Sequence, residues 1–252
     1  MTSNPCLNGG KCLSPSQSSQ KRFACNCPNG YQGERCEQPI KSCRGYSNTG
    51  RVPGNYTVID GDLRPFQVFC DFDSNSSTTW TLIQSYKLKN KEEFRGKTFA
   101  GNLRKNQHEP FWSRYRLSKS AMESIQNEST RWRITCRYEA DSVVYIDYVR
   151  ALNKELDILI FDGKGKCVNV EYINIRGHSC TACAARFWQG STQILHTDSS
   201  KSSNCGFTPQ DGSLHCGAGG EDNFGLYDCI NEQHRCSSSD EATTQTWFGG
   251  RD

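Results

Sequence analysis

Cys25-Asn26-Cys27-Pro28-Asn29-Gly30-Tyr31-Gln32-Gly33-Glu34-Arg35-Cys36 puts three cysteines, two glycines and one aromatic ring into a dozen positions. A segment so short and so poor in apolar residues cannot bury a core of its own. It must be held by crosslinks around a small hairpin. Gly30 and Gly33 suit turns that need positive φ, with Tyr31 as the packing residue between them. Upstream, Asn4-Pro5-Cys6-Leu7-Asn8-Gly9-Gly10-Lys11-Cys12 keeps the same composition, so five cysteines fall in the first 36 residues and ten follow.

Fifteen cysteines in 252 residues exceed what a reducing compartment tolerates in a chain without strong metal-site spacing. The expectation is therefore a disulfide framework made in the secretory pathway, and a secreted, extracellular protein. The sequons Asn55-Tyr56-Thr57, Asn75-Ser76-Ser77 and Asn127-Glu128-Ser129 agree with that compartment and mark Asn55, Asn75 and Asn127 as glycosylation candidates. A net charge of +3 is too mild for a nucleic-acid partner. The cations between Lys87 and Arg104 are interleaved with Glu92 and Glu93, which reads as a solvated face. No run reaches the roughly 18 to 20 apolar residues of a membrane span, so none is expected in this chain. The opening residues from Met1 to Cys6 lack an apolar signal core, which places the expected natural start upstream.

The ending Cys-x-Cys-x-x-Gly-Tyr-x-Gly-x-x-Cys, with Cys6 and Cys12 before it, resembles the last five cysteines of an epidermal growth factor-like (EGF-like) module, here assigned to residues 1–37. The resemblance implies the pairs Cys6–Cys25 and Cys27–Cys36 and leaves Cys12 without its partner. The family's missing first cysteine would stand at or just before Met1, which also accounts for the odd cysteine total. The family's calcium and hydroxylation signatures do not carry over, because acidic residues are missing before Cys6 and Ser14 stands at the hydroxylation position.

Residues 38–252 are expected to form one larger domain of α+β, mostly β, type. Gly54 to Ile59, Pro65 to Asp73 and Trp80 to Gln84 are rich in β-branched and aromatic residues and bounded by Gly, Pro and Asp, which predicts short strands. Closing Cys43 onto Cys70 would confine about 28 residues, worth roughly 3 to 4 kcal/mol in the chain-entropy model. Ser118 to Ser129 predicts a helix with Met122 and Ile125 on one face. Arg131 to Tyr138, Ser142 to Val149 and Leu156 to Phe161 predict further strands, and Gly163-Lys164-Gly165-Lys166 a turn between strands. Residues 43–84, with a Gly-x-Tyr strand, Pro65-Phe66-Gln67-Val68-Phe69-Cys70-Asp71 and Trp80-Thr81-Leu82-Ile83-Gln84, resemble the start of fibrinogen C-terminal-like domains. That resemblance implies a disulfide-stapled fibrinogen-like domain with a Cys43–Cys70 bond. Its calcium loop would fall on Glu221, Asp222 and Asn223, against the alternative of an ordinary turn entering Phe224-Gly225-Leu226-Tyr227. The stretches 171–178 and 244–250 also resemble secreted cnidarian extracellular matrix proteins, such as those of coral skeletal organic matrix.

His178, Cys180, Cys183 and His196 could supply a tetrahedral zinc set. Ten cysteines in the large domain are an even number, however, and favour bridges, so no metal is expected, and Cys180 and Cys183 are each expected to bridge elsewhere. The eight cysteines after Cys70 permit 105 pairings. No nucleophile elbow, His-Glu-x-x-His helix or phosphate loop is found. The expected function is a non-enzymatic extracellular matrix or adhesion protein, with skeletal organic matrix as its narrow form and an extracellular protein or glycan as partner. Lectin-type glycan recognition, with or without calcium, is the alternative, and a secreted enzyme without a recognisable motif is the second. No cofactor is expected beyond that calcium.

Overall fold

A computed structural model describes residues 4–13, 23–48, 52–73, 77–190, 192–197, 205–209, 215–216, 220–221 and 223–251. The N-terminal module holds two small hairpins, β1 (Lys11–Leu13) with β2 (Ala24–Asn26) and β3 (Tyr31–Gln32) with β4 (Gln38–Pro39). Cys6 is bonded to Cys25 and Cys27 to Cys36. Gly30 has φ +90° and Gly33 φ +98°, the backbone region that glycine enters without steric cost. At Gly30 a Cβ would also sit 2.8 Å from Ile59 Cδ1.

The large domain is built on one ten-stranded antiparallel sheet. In chain order its strands are β5 (Gly54–Ile59), β6 (Pro65–Asp73), β7 (Thr78–Lys87), β8 (Arg114–Arg116), β9 (Arg131–Cys136), β10 (Tyr148–Leu152), β11 (Gly163–Ile175), β12 (His178–Gly190), β13 (Gln193–Thr197) and, after the short β14 (His215–Cys216) and β15 (Gly220–Glu221) pair, β16 (Thr243–Arg251). The order across the sheet is β13-β12-β11-β10-β9-β16-β7-β6-β5, with β8 added on β7. The last strand therefore inserts at the centre, between β7 and β9. Covered on both faces, β7 is buried at nine consecutive positions, Thr78 to Tyr86, and carries no alternation. Gly249 lets β16 pass Trp80 closely, since a Cβ there would meet Trp80 Cε3 at 2.5 Å and the Thr79 carbonyl oxygen at 2.6 Å.

Helix α1 (Lys119–Asn127) buries Ala121, Met122 and Ile125, and the Ser118 side chain caps its first turn by accepting from the Ala121 N–H at 3.3 Å. A one-turn helix, α2 (Tyr138–Asp141), follows β9. Two expected strands are not strands. Residues 142–147 leave the sheet between two left-handed residues, Ser142 (φ 57°) and Asp147 (φ 52°), and pairing resumes only at Tyr148. Residues 156–161 form turns, with the Phe161 N–H donating to the Asp157 carbonyl at 2.9 Å. These turns lie against the sheet at Trp132, whose indole N–H donates to the Leu156 carbonyl at 3.0 Å. Short apolar runs do not separate strand from buried turn by periodicity alone. Gly163 to Lys166 is not a turn between strands. It opens β11, with a register shift between Gly163 and Lys166.

Candidate functional site

A groove of about 420 Å³ opens between the Phe111–Ser113 loop, the Arg137–Ala140 turn and the chain entering β16. Its lining residue Trp112 rests on a buried stack that begins in the core. The Arg133 guanidinium is buried between the rings of Trp80 (4.4 Å) and Trp247 (4.7 Å) and paired with Asp71 at 2.5 Å. Asp71 also accepts from the Tyr138 hydroxyl at 2.7 Å. Burial, reinforced by Asp71, pushes the Tyr138 phenol far above its ordinary range. Above Tyr138 lies Trp112, 5.7 Å away ring to ring, with Phe69 edge-on to Trp112 at 4.9 Å. Phe111 completes the series, 55% exposed.

That exposed ring stands on a fixed backbone. The Ser85 hydroxyl donates to the Trp112 carbonyl at 2.6 Å, and the Ser113 carbonyl accepts from Lys87 N–H at 3.2 Å and Asn90 Nδ2 at 2.9 Å. On the opposite wall Arg137 holds φ 54°, a conformation uncommon for a side-chain-bearing residue. Its N–H donates to the Thr243 carbonyl at 2.9 Å, and the neighbouring Cys136–Cys236 disulfide fixes the turn. Among the described residues the lining charges are two cations, Lys87 and Arg137, and two carboxylates, Glu139 and Glu241. Glu139 accepts from the Thr243 hydroxyl at 2.6 Å and from Gln245 Nε2 at 3.2 Å. Glu241 accepts from Lys87 at 2.6 Å and from Lys89, and those two bonds pull its carboxyl down to about 2. An exposed aromatic face inside a charge-balanced rim suits a ligand with apolar faces and neutral hydroxyls better than a multiply charged one.

The sequence-predicted residues are spread across the molecule. Cys43 is bonded to Cys70, which staples the start of the large domain to β6. Cys167 is bonded to Cys205, and Cys229 is also disulfide-bonded. Cys180 and Cys183 bond to each other rather than elsewhere. Both lie in β12, opposite Ile173 and Val170, with Ala182 at φ 51° between them. His196 stacks on Trp188 at 5.8 Å, with Nδ1 2.8 Å from the Ile194 carbonyl, and joins no metal set. Asn55 is exposed in β5 and Asn127 is exposed at the end of α1, while Asn75 lies outside the described residues. Of the calcium candidates, Asp222 lies outside the described residues and Glu221 is described only as backbone in β15. Asn223 is buried, exchanging backbone hydrogen bonds with Leu226 in a tight turn. Among the described residues no group of three His, Cys, Asp or Glu side chains is placed to hold a metal ion. Cys12 is free and exposed. Sequence patterning did not single out Phe111 or Arg137. The usable signal was the aromatic doublet Phe111-Trp112 after a polar stretch, since adjacent side chains of an extended segment face opposite ways.

Residues 2–35 match the family model described as the EGF-like domain. Contactin-associated protein 1 of Homo sapiens is 35% identical over 91 residues, 34% of this chain and 6% of that protein. EGF-like domain-containing protein 1 of Lottia gigantea is 30% identical over 88 residues, 32% of this chain and 17% of that protein. Coagulation factor XII of Sus scrofa is 47% identical over 90 residues, 34% of this chain and 13% of that protein. The chain thus spans only a small part of each relative. A third of this chain is more than twice the length matched by the family model, so each likeness runs beyond that segment. The N-terminal segment is an EGF-like domain, joined to a large, mostly β, disulfide-bonded domain with few helices.

Proposed function

We propose that this chain is a secreted, non-enzymatic extracellular adhesion protein whose large domain is of the fibrinogen-like kind and presents the Phe111–Arg137 groove to a protein or glycan partner. The observation that supports it most is the union of an EGF-like domain with a disulfide-stapled sheet domain, in a chain whose likeness to contactin-associated protein 1 runs past the EGF-like segment. The fibrinogen-like reading is supported by the Cys43–Cys70 bond and the β5-β6-β7 arrangement that carries residues 54–87. The non-enzymatic reading is supported by how the perturbed groups are held: at the groove Glu241 is tied to Lys87 and Lys89 and Tyr138 to Asp71, and the others lie away from it. Tyr115, Arg116, Tyr148 and His234 are wholly buried, shifted by burial rather than poised against an open cleft.

The test is retention of the secreted chain on cell surfaces and on decellularised matrix. Wild type should be retained and Phe111→Ala should lose most of that retention while melting normally, because the deleted ring is exposed. Equal retention of the two proteins removes the groove, and no retention of either removes the adhesion reading. Recovery with insoluble mineralised matrix is the corresponding test of the narrower skeletal-matrix role.

A second reading, glycan recognition in the same groove, is favoured by the exposed Phe111 ring within its balanced rim. A glycan array probed with calcium and with chelator should show binding that Phe111→Ala abolishes. Silence across a broad array removes it.

A further inference from the structure

We infer that the carbohydrate carried by Asn55 seats in the cleft between the EGF-like module and the large domain and clasps the two together. The inference rests on passage through the secretory pathway, part of the function proposed above, and goes beyond it in assigning a modification site and a place for the sugar.

The cleft measures about 510 Å³ and is larger than the Phe111 groove. Asn29, Tyr31 and Gln32 line it from the module, and Tyr46, Tyr56 and Gln67 from the domain. Among the described residues no charged side chain lines it. Three phenol rings line it, Tyr46 and Tyr56 packed on each other at 4.8 Å, and give the C–H side of a pyranose apolar surface to rest on, while the amides can donate and accept as sugar hydroxyls and an acetamide require. A charge-free lining of this kind suits a neutral saccharide and gives an ionic ligand nothing to pair with.

The attachment point lies within that lining. Asn55 is exposed in β5, is itself a lining residue, and heads the sequon Asn55-Tyr56-Thr57. The strand beneath it is fixed. Thr57 Oγ1 accepts from Gln67 Nε2 at 2.8 Å, and the Thr57 carbonyl accepts from the Tyr46 hydroxyl at 2.5 Å. The module wall is fixed to the same strand, because the Gly30 N–H donates to the Tyr46 hydroxyl at 3.1 Å. A sugar tethered at Asn55 meets both walls at an effective concentration in the millimolar range, which favours it over any free saccharide of ordinary weak affinity. Asn127, also exposed, stands at the end of α1, is not among the residues lining the cleft, and serves as the control.

The test uses the full chain secreted from glycosylating cells. Peptide N-glycosidase treatment in heavy-oxygen water, read by mass spectrometry, reports occupancy of each sequon, and Asn127 reports secretory passage independently of Asn55. Native protein is then digested with trypsin, following cleavage after Lys41, an exposed residue of the connection between module and domain. The module's two disulfides both close within it, so this cut releases it. Removing the carbohydrate from folded wild type should speed the cut about fivefold, the effect of roughly 1 kcal/mol. Asn55→Gln should match it, Asn127→Gln should not, and trimming to a single N-acetylglucosamine should keep most of the protection. An unoccupied Asn55, or one cleavage rate with and without its carbohydrate, overturns the inference. If Asn55→Gln is not secreted, enzymatically deglycosylated wild type carries the comparison.

Discussion

His234 lies wholly buried against Phe224, stacked at 5.6 Å, and edge-on to Tyr227 at 5.3 Å, with Nδ1 3.6 Å from Asp147. Neither ring nitrogen has a hydrogen-bond partner among the described residues. The Asp147 carboxylate is already committed, accepting from the backbone N–H groups of Arg176 and Arg235, each at 2.7 Å. Burial is the main reason the imidazole is pushed down to about 4. Asp147 opposes the shift and Arg176 adds to it. The unfolded chain takes up this proton near pH 6.5 and the folded one only near 4, so stability falls as pH drops through that window and levels off below it. The span corresponds to about 3 kcal/mol. Urea titrations at a series of pH values should therefore show an acid limb that flattens in His234→Phe. An unchanged limb would mean that the folded protein protonates His234 freely.

Among the elements, α1 is the one whose sequence pattern and structure coincide most closely, and Ser118 decides where it begins. Ser118→Ala removes the acceptor for the Ala121 N–H and should cost about 1 kcal/mol, lowering the melting midpoint by about 2 to 4 °C in a domain of this size. Circular dichroism melts would check it, and a midpoint equal to wild type would show that other contacts fix the helix start. The helix was legible because Met122 and Ile125 stand at helical spacing behind a serine. The β5-β6-β7 run was legible because β6 alternates Phe66, Val68, Cys70 and Phe72 inward. Residues 142–147 and 156–161 were not, because their paths depend on distant partners. Arg235 Nη1 donates to the Ile146 carbonyl at 3.1 Å, and Gln189 Nε2 donates to the carbonyls of Ile158 and Phe161 at 2.8 and 2.6 Å. The Cys180–Cys183 bond was hidden for the opposite reason. The even cysteine count suggested that each would bridge elsewhere, whereas β12 carries the pair through a single left-handed residue, Ala182, and joins them to each other. The groove was least legible, since Phe111, Arg137 and Glu241 converge only after β16 has inserted between β7 and β9.

At the scale of the whole molecule the question is whether the EGF-like domain is a loose spacer or part of one body with the sheet. The backbone favours one body. The Ile40 N–H donates to the Gly30 carbonyl at 2.8 Å and the Ile59 N–H to the Ile40 carbonyl at 2.8 Å, so the connecting segment pairs with the module on one side and with β5 on the other. This also covers part of the outer edge of β5, where open strand groups would invite other chains. The Tyr46 hydroxyl closes the seam by bridging the Gly30 N–H to the Thr57 carbonyl, and burial is the chief reason its phenol is raised above its ordinary range. Tyr46→Phe keeps the ring, which packs on Tyr56 at 4.8 Å, but strands both backbone partners, a loss of about 1 to 3 kcal/mol. In unglycosylated protein, where no sugar can contribute, trypsin cleavage after Lys41 should then accelerate about tenfold, since 1.4 kcal/mol is a tenfold change in the open population. The α1 and β9 region should meanwhile keep its hydrogen-exchange protection. Unaltered cleavage would place the coupling in the backbone pairing alone, whereas loss of exchange protection throughout the sheet would make the seam part of the domain's own folding unit.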